Sequence, residues 1–287
     1  MSDRDSKEAV IEISQLVRNF GAQRVLDGIN LTVSRGEIMV IMGGSGCGKS
    51  TLLRHLIGSL IPDEGSVRLF GHDTSTMSEK ELDEVRKRFG ILFQSGALFN
   101  SMTVGDNVAL PLREHTNLDE TTIEIMVKIK LELVGLREHA GKMPAMLSGG
   151  MKKRAGLARA IALDPQILFY DEPSAGLDPV TSAQIDQLII DLTRKLHVTS
   201  VVVTHEMDSA FTIADRMCML DKGRVLKLGT RQEFELLRNS KVEDMASEQD
   251  RLIRQFLRGE AFGPITDRKM NSDYEEDILM AAVRQEI

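Results

Sequence analysis

The fold of this chain is decided by the stretch Gly43-Gly44-Ser45-Gly46-Cys47-Gly48-Lys49-Ser50-Thr51. The stretch matches the pattern G-x-x-x-x-G-K-[ST] of a phosphate-binding loop, and the apolar run from Ile38 to Met42 before it predicts a strand. A helix is predicted from Thr51 to Ser59, so that its first amides and the positive end of its dipole face a bound triphosphate. Glycines suit such a loop because side chains would keep the backbone N–H groups from turning toward the phosphates.

Two polar side chains of this loop and two carboxylates farther along the chain predict a hydrolytic site. Lys49 can reach the β- and γ-phosphates, and the Ser50 hydroxyl can ligate Mg²⁺. The apolar strand predicted from Ile167 ends in Asp171 and Glu172, and carboxylates at a strand tip are costly unless they bind something. Asp171 is therefore placed to hold Mg²⁺ through water, and Glu172 to orient or deprotonate an attacking water. The alternative is that both carboxylates cap nearby helices.

Three further features place polar groups where predicted strands end or predicted helices begin. Gln94 follows a strand predicted over residues 89–93, and His205 follows a strand predicted over residues 199–204. The turn Leu147-Ser148-Gly149-Gly150 precedes a predicted helix, and a helix start of this kind is a second potential anion site.

Phe20 is predicted to lie in the connection between two short strands, Val10 to Ile13 and Ile29 to Val33. An aromatic residue in a loop can stack on an adenine base, and it can equally cover the edge of a core. The sequence leaves both interpretations open.

Residues from about 95 to 160 are predicted to form a helical insertion within an α/β domain. Apolar residues keep helical spacing from Asp119 until Gly135, and strand signals resume only at Ile167. The loop from Ser95 to Met102 carries apolar residues that look exposed. They either fold back onto the core of the domain or form a docking surface.

Length, charge and cysteine content narrow the class of protein. With 287 residues the chain can bury a large core, and its net charge of −7 and pI near 5.5 argue against a nucleic-acid partner. The basic runs Arg86-Lys87-Arg88 and Lys152-Lys153-Arg154 are interpreted as solvated helix faces. Cys47 and Cys218 form no disulfide framework, which favours a reducing cytosol. Since no run approaches the ~20 apolar residues of a membrane-spanning helix, any work on a membrane is expected to go through partners.

Five motifs follow one another along the chain: the phosphate loop, Gln94, Leu147-Ser148-Gly149-Gly150, the strand that ends in Asp171-Glu172, and His205. In this order and spacing the chain resembles the ATP-binding subunits of ABC transporters over about residues 8–240. The resemblance implies an α/β fold of the P-loop NTPase (ABC ATPase) type. It has a RecA-like core, an antiparallel β subdomain and a helical subdomain inserted at about 95–160. An ATPase domain would cover residues 1–240, and a C-terminal extension residues 241–287.

The resemblance also implies that two copies of the subunit enclose ATP between them. Phe20 would stack on adenine, Glu172 would be the general base, and His205 would contact the γ-phosphate. The nucleotide held by the opposite copy would be contacted by Ser148, Gly149 and Gly150. The groups implied for the phosphates are Gly43, Gly44, Ser45, Gly46, Cys47, Gly48, Lys49, Ser50 and Thr51. The groups implied for Mg²⁺ are Ser50, Gln94 and Asp171, and those implied for catalysis are Lys49, Gln94, Glu172 and His205.

One position departs from the family pattern, because Met151 stands where a glutamine usually follows Gly150. The backbone amides of the motif remain, so activity is expected to survive. The segment Leu147 to Asp164 resembles the subgroup that serves MCE-type, Mla-like phospholipid transporters of Gram-negative envelopes. Residues 93–99 and 254–259 support the same assignment.

That subgroup implies a set of partners and a location. The ATPase would sit at the cytoplasmic face of the inner membrane on a pair of permease subunits. A lipid-binding MCE ring would lie on the periplasmic side, with a small STAS-like subunit as a further cytoplasmic partner. The cargo would be glycerophospholipid.

The tail from Ser240 to Ile287 is longer than a minimal ATPase requires. An apolar strip formed by Leu252, Ile253, Phe256 and Leu257 predicts a strap over residues 248–262 that lies on the neighbouring subunit. Residues beyond 270 are predicted to be partly disordered.

Two other functions remain open at this stage. One is the ATPase of a solute importer with another cargo. The other is a soluble ABC-type ATP switch in DNA repair or translation. Such switches usually need two ATPase modules or a long coiled coil, and this sequence has one module and no heptad run.

Overall fold

The computed structural model describes residues 8–245 and 247–267. These residues fall into two compact units, with the boundary between Leu228 and Gly229. The strands are β1 (Ala9–Phe20), β2 (Gln23–Ser34), β3 (Ile38–Gly43), β4 (Glu64–Leu69), β5 (His72–Asp73), β6 (Phe89–Leu92), β7 (Ile167–Asp171), β8 (Thr199–Val203), β9 (Arg216–Asp221) and β10 (Arg224–Thr230). The helices are α1 (Lys49–Leu56), α2 (Glu79–Arg86), α3 (Val104–His115), α4 (Glu120–Leu133), α5 (Gly149–Ala160), α6 (Pro179–Lys195), α7 (Met207–Ile213), α8 (Arg231–Asn239) and α9 (Glu248–Arg258).

A six-stranded sheet in the order β10-β9-β3-β8-β7-β6 carries the predicted strand tips. Strand β3 pairs in parallel with β8 and β9, and β7 pairs in parallel with β6 and β8. Every residue from Ile38 to Met42 is fully buried, as expected of a central strand that is covered on both faces. The carboxyl ends of β3, β6, β7 and β8 therefore lie at one edge of the sheet, and the predicted α/β fold is confirmed.

A second sheet, in the order β2-β1-β4-β5, is antiparallel. Its strand β1 runs to Phe20, although the sequence predicts a strand only from Val10 to Ile13. The ladder with β2 shifts register between Ile13 and Leu16, and Gln15 has a φ of 49°, so a bulge lets the strand continue. The predicted position of Phe20 in a connection is therefore wrong, because this residue ends a strand.

Side-chain hydrogen bonds cap the starts of several helices, among them α2, α8 and α6. At α2 the Ser78 hydroxyl accepts from Glu81 N at 3.4 Å, while Glu81 Oε2 accepts from Ser78 N at 2.8 Å. Thr230 and Glu233 form the same capping box at α8. Asp178 caps α6, whose first residue is Pro179.

Every regular element between β6 and β7, a range that the structure describes in full, is helical. The predicted helical insertion is thus confirmed. Two glycines bring α5 against the backbone of neighbouring segments. A Cβ on Gly156 would lie 2.8 Å from the carbonyl oxygen of Gly96, and a Cβ on Gly90 would overlap the carbonyl oxygen of Ala160. Contacts from backbone to backbone therefore join α5 to β6 and to the loop that follows β6.

The second unit contains α8 and α9. Helix α9 buries Leu252, Ile253 and Leu257, which belong to the strip that predicts a strap. Arg254 donates from Nε to the carbonyl oxygen of Ser240 at 2.8 Å. The predicted disorder beyond residue 270 lies outside the described residues.

Across residues 8–245 and 247–267, no helix combines the length and the apolar character needed to cross a bilayer.

Candidate nucleotide-binding site

The carboxyl edge of the parallel strands gathers the polar groups that the sequence predicts there. The phosphate loop follows β3, Gln94 follows β6, Asp171 ends β7 and His205 follows β8. Since β3, β8, β7 and β6 are neighbours in that order, these groups form one row along the edge. Ligands of open α/β sheets bind at such an edge.

The backbone of the phosphate loop has the form that a triphosphate requires. Gly43 has a φ of 155° and Gly48 a φ of 106°, and a Cβ on Gly43 would overlap the carbonyl oxygen of Leu220. Beside Gly44 and Gly46 a Cβ would meet no atom within 4 Å. Gly48 is the N-cap of α1 and makes no side-chain cap, so the first amides of the helix are left for a ligand. The loop therefore fits the phosphates of ATP.

Lys49 folds back over this loop. Its Nζ donates to the carbonyl oxygens of Gly43 at 2.8 Å and Gly44 at 3.0 Å, so the ammonium lies where it can meet phosphate oxygens. Ser50 is exposed at the start of α1. Cys47 is buried, and burial raises the pKa of its thiol, so this side chain packs inside the loop as a neutral group.

The surroundings of Asp171 make ionisation of its carboxyl group less favourable. Burial raises its pKa, the neighbouring Glu172 raises it further, and Lys49 acts in the opposite direction. Burial therefore makes the ionised form of Asp171 less favourable than it would be in water, and a further cation beside the carboxylate would offset that cost. Ser50 and Gln94 are exposed at the same edge, and oxygen ligands of these kinds suit a hard divalent cation.

Glu172 is fixed through both its backbone and its side chain. Its φ is 49°, a left-handed value that is uncommon for a residue with a Cβ, and its N–H donates to the carbonyl oxygen of Val203 at 2.9 Å. Oε1 of Glu172 lies 2.8 Å from Nδ1 of His205, and Oε2 accepts from His205 N at 3.3 Å. The Glu172 side chain is 12% exposed, whereas that of His205 is 60% exposed. His205 thus orients a carboxylate that can accept a proton from water.

Ser148, Gly149 and Gly150 lie at the start of α5, and Ser148 is its N-cap. The Ser148 hydroxyl accepts from Met151 N at 3.3 Å and caps the helix. Gly150 packs so closely on Thr181 that a Cβ would overlap its methyl group. Ser148 and Gly149 are exposed, so the start of α5 is open to a molecule outside the chain.

Phe20 is 45% exposed at the end of β1, in the antiparallel sheet. The guanidinium of Arg18 lies 5.0 Å from the centroid of its ring, which is a cation–π contact. The stacking of Phe20 on adenine stays a prediction.

Sequence reasoning missed Lys153, because it assigned this residue to a solvated basic face. Lys153 is 5% exposed, and its Nζ donates to the carbonyl oxygens of Glu172 at 3.2 Å and Ala175 at 2.7 Å. The spacing contains the signal, since Lys153 lies between Gly150 and Gly156 on the face of α5 that buried small residues form. A lysine on such a face needs buried acceptors.

Several known proteins are similar to this chain in sequence or in fold. The ABC transporter family matches residues 26–175. The intermembrane phospholipid transport system ATP-binding protein MlaF of Haemophilus influenzae is 43% identical over 270 residues, which cover 94% of this chain and 98% of that protein. The probable ribonucleotide transport ATP-binding protein mkl of Mycobacterium tuberculosis is 45% identical over 255 residues, which cover 89% of this chain and 68% of that protein. A solved structure, the dimeric ATP-binding cassette MJ0796 bound to ADP and Pi, has a TM-score of 0.70 at 30% identity and covers 77% of this chain and 98% of its own.

Proposed function

This chain belongs to the ABC transporter family, and we propose that, as the ATP-hydrolysing subunit of a transporter, it powers the movement of phospholipids between inner and outer membranes. The observation that supports phospholipid as the cargo is the 43% identity to MlaF, which extends over 98% of that protein. Such transport would maintain the lipid asymmetry of the outer membrane.

In the proposed reaction, ATP and water give ADP and phosphate at the carboxyl edge of the parallel sheet. Lys49 meets the β- and γ-phosphates, and Glu172 accepts the proton of the attacking water. His205 keeps the Glu172 carboxylate oriented and contacts the γ-phosphate. A bound Mg²⁺ would supply positive charge to the phosphate oxygens. Its proposed ligands are Ser50, Gln94 and Asp171.

The subunit works as a pair of copies. The solved cassette MJ0796, which shares this fold, is dimeric. In this chain the exposed start of α5, with Ser148 and Gly149, is open to a molecule from outside. We assign that surface to the ATP held by the phosphate loop of the second copy, so that nucleotide is clamped between one loop and one helix start. Hydrolysis then releases the clamp.

A groove of about 950 Å³ is the proposed binding site for the permease. Phe93 and Phe99 line it and are 41% and 51% exposed. Asn107 fixes the loop, since its Oδ1 accepts from Phe99 N at 2.8 Å and its Nδ2 donates to Phe99 O at 3.1 Å. The loop is thus folded and still presents its aromatic rings. Apolar rings beside the charged residues of α2 suit a short amphipathic helix of a membrane subunit.

Further partners belong to the same proposal. A lipid-binding MCE protein would receive the cargo on the far side of the inner membrane. A small STAS-like subunit would dock on α4, where Ile125 and Ile129 are 53% and 52% exposed beside Lys128. A strap over residues 248–262 would have to use side chains other than Leu252, Ile253 and Leu257, because these three are already buried.

The main rival is transport of another solute. The relative mkl, named for ribonucleotide transport, is 45% identical to this chain. Both cargoes use the same ATPase chemistry, so the nucleotide site does not separate them. Co-purification of the membrane partner and its cargo does.

The first test is affinity purification of the tagged full-length chain from detergent-solubilised membranes of its own organism, followed by lipid analysis. Recovery of a permease, an MCE protein and bound phospholipid would support the proposal. A permease that carries no lipid would contradict the cargo and keep the ATPase. Absence of every membrane protein would favour the soluble switch.

Matched variants show whether the groove is used. Phe99→Ser should lose the permease while it keeps ATP binding, because the ring lies outside the phosphate loop. Ile61→Ser removes an apolar side chain that is 59% exposed and does not line the groove, and it should keep the permease. Equal recovery of permease with both variants would refute the proposal that the permease binds in this groove.

A further inference from the structure

The backbone of Glu172 holds a conformation that its surroundings must maintain. Its φ of 49° lies in the left-handed region, where a residue with a Cβ persists only if neighbouring groups fix it. Val203 O accepts from its N–H at 2.9 Å, and His205 Nδ1 lies 2.8 Å from its carboxylate. Its carbonyl oxygen accepts a further bond, from Lys153.

Lys153 reaches this carbonyl from α5 and is itself buried. Its Nζ donates to Glu172 O at 3.2 Å and to Ala175 O at 2.7 Å. Ala175 N also donates to Glu172 O at 3.3 Å, so the ammonium binds both carbonyls of one tight turn. Burial lowers the pKa of Lys153, and the carboxylates of Glu206 and Glu172 oppose that shift. The buried ammonium makes charge-assisted hydrogen bonds to both carbonyls, and of the two only the bond to Ala175 O is short, so that Lys153 ties the turn to α5.

We propose that Lys153 is a positioning residue for ATP hydrolysis, which holds the backbone of Glu172 so that its carboxylate faces the attacking water. This inference rests on the proposed role of Glu172 as general base. Lys153 follows Ser148 by roughly one and a half turns of the same helix. Helix α5 therefore connects the surface that meets the second copy's ATP with the base of its own subunit. When the dimer closes on α5, the resulting shift of the helix is transmitted to the backbone of Glu172 through Lys153.

The packing around this connection is tight. A Cβ on Gly149 would lie 3.4 Å from Leu177, and a Cβ on Gly150 would overlap Thr181. Both partners lie in the segment that follows Glu172. The start of α5 and this segment therefore have little room to move independently.

The test compares Lys153→Met with Lys153→Arg in the full-length chain, purified alone and within its detergent-extracted membrane complex. Lys153→Met should lower kcat roughly tenfold to a hundredfold, the cost of a misplaced catalytic group. KM and the affinity for a fluorescent ATP analogue should change less than about twofold, because Lys153 does not touch the phosphate loop. Lys153→Arg keeps a buried cation with several donors and should restore most of the kcat. ATP-dependent dimers of Lys153→Met, followed by light scattering, should outlast those of the wild type.

Lys152→Met is the matched control, since this neighbouring lysine is less buried and should tolerate the change. A wild-type kcat in Lys153→Met would overturn the inference. So would a loss of kcat, ATP affinity and melting temperature together that Lys153→Arg fails to rescue. Glu172→Gln is measured alongside. Normal turnover in Glu172→Gln overturns the base assignment and the inference with it, whereas a slow Glu172→Gln beside a normal Lys153→Met overturns the inference alone.

Discussion

Helices α1 and α5 both begin at small residues, and their first turns differ. At α1 the N-cap is Gly48, with a φ of 106° and no side-chain cap, and a loop of glycines wraps around the first amides. At α5 the N-cap is Ser148, with an extended backbone and a hydroxyl that accepts from Met151 N. One start is a cradle that can surround a phosphate group, and the other is an ordinary capped end with an open face.

The difference teaches how two anion sites in one chain divide their work. The cradle at α1 can hold a nucleotide with groups of its own chain, including Lys49. The start of α5 has no such loop, and the proposal is that it contributes to a nucleotide held by another molecule. The proposed dimer follows from this asymmetry, and variants at either start can break it or sharpen it.

The largest effect is expected for Lys49→Ala, which breaks the α1 side. The variant removes the ammonium that lies against Gly43 and Gly44, so phosphate charge goes unneutralised. ATP binding, ATP-dependent dimerisation and phosphate release should all fall to background while the fold persists. Titration with a fluorescent ATP analogue and light scattering check this, and tight ATP binding in the variant would contradict it.

Glu172→Gln should sharpen the comparison by leaving both helix starts intact. Loss of the proposed base should slow hydrolysis by roughly 10²–10⁴ while ATP still binds. Because ATP is proposed to bridge α1 of one copy and α5 of the other, a long-lived dimer should appear in size-exclusion chromatography. Near-normal turnover in this variant would refute the role of Glu172.

Ser148→Ala should weaken the α5 side alone. Loss of the N-cap hydrogen bond costs about 0.5–2 kcal/mol, which appears as a lower melting temperature. The ATP affinity of the monomer should stay unchanged, because Ser148 is not part of the cradle. When the variant is combined with Glu172→Gln, the trapped dimer should be weaker than with Glu172→Gln alone. A double variant that dimerises as tightly as Glu172→Gln would mean that α5 does not receive the second copy's nucleotide.

The smallest effect concerns Asp171 and the dependence of stability on pH. Its pKa is raised from the ordinary 3.8, so the folded state keeps the proton to a higher pH than the unfolded chain does. The ionised carboxylate therefore lowers the free energy of unfolding at pH 7. This penalty disappears as the pH falls through the raised pKa toward the ordinary value. Asp171→Asn without nucleotide should melt a few degrees higher at pH 7, with a smaller gain at lower pH.

Asp178→Asn is the control for this prediction. Hydrogen bonds from Thr181 lower the pKa of Asp178, so its ionised form stabilises the fold and its loss should not raise the melting temperature. Calorimetry at pH 7 and at pH 5 measures both variants. A melting temperature of Asp171→Asn below that of the wild type would contradict the sign derived from burial.

The parts of the site that local sequence controls could be predicted. The phosphate loop depends on glycines that permit its backbone, and its motif can be recognised from the sequence alone. Asp171 and His205 could be placed because the carboxyl ends of parallel strands meet at one edge.

The parts that depend on tertiary contacts could not. Phe20 ends a long strand because bulges let β1 continue past Gln15. The alternation of apolar and polar residues does not predict these bulges. Lys153 is buried because carbonyls distant in sequence accept its hydrogen bonds. Leu252 and Ile253 are predicted to lie on the neighbouring subunit and are instead buried within the chain, because an apolar strip alone does not indicate which surface covers it.

The contact between Gly156 and Gly96 gives the molecule a mechanical property. At this point the backbone of α5 rests on the backbone of the loop that carries Phe99, with no side chain between them to rotate or compress. A displacement of that loop is therefore expected to displace α5 directly. A methyl group at either glycine would push these two backbones apart and loosen the contact between α5 and the groove proposed for the permease.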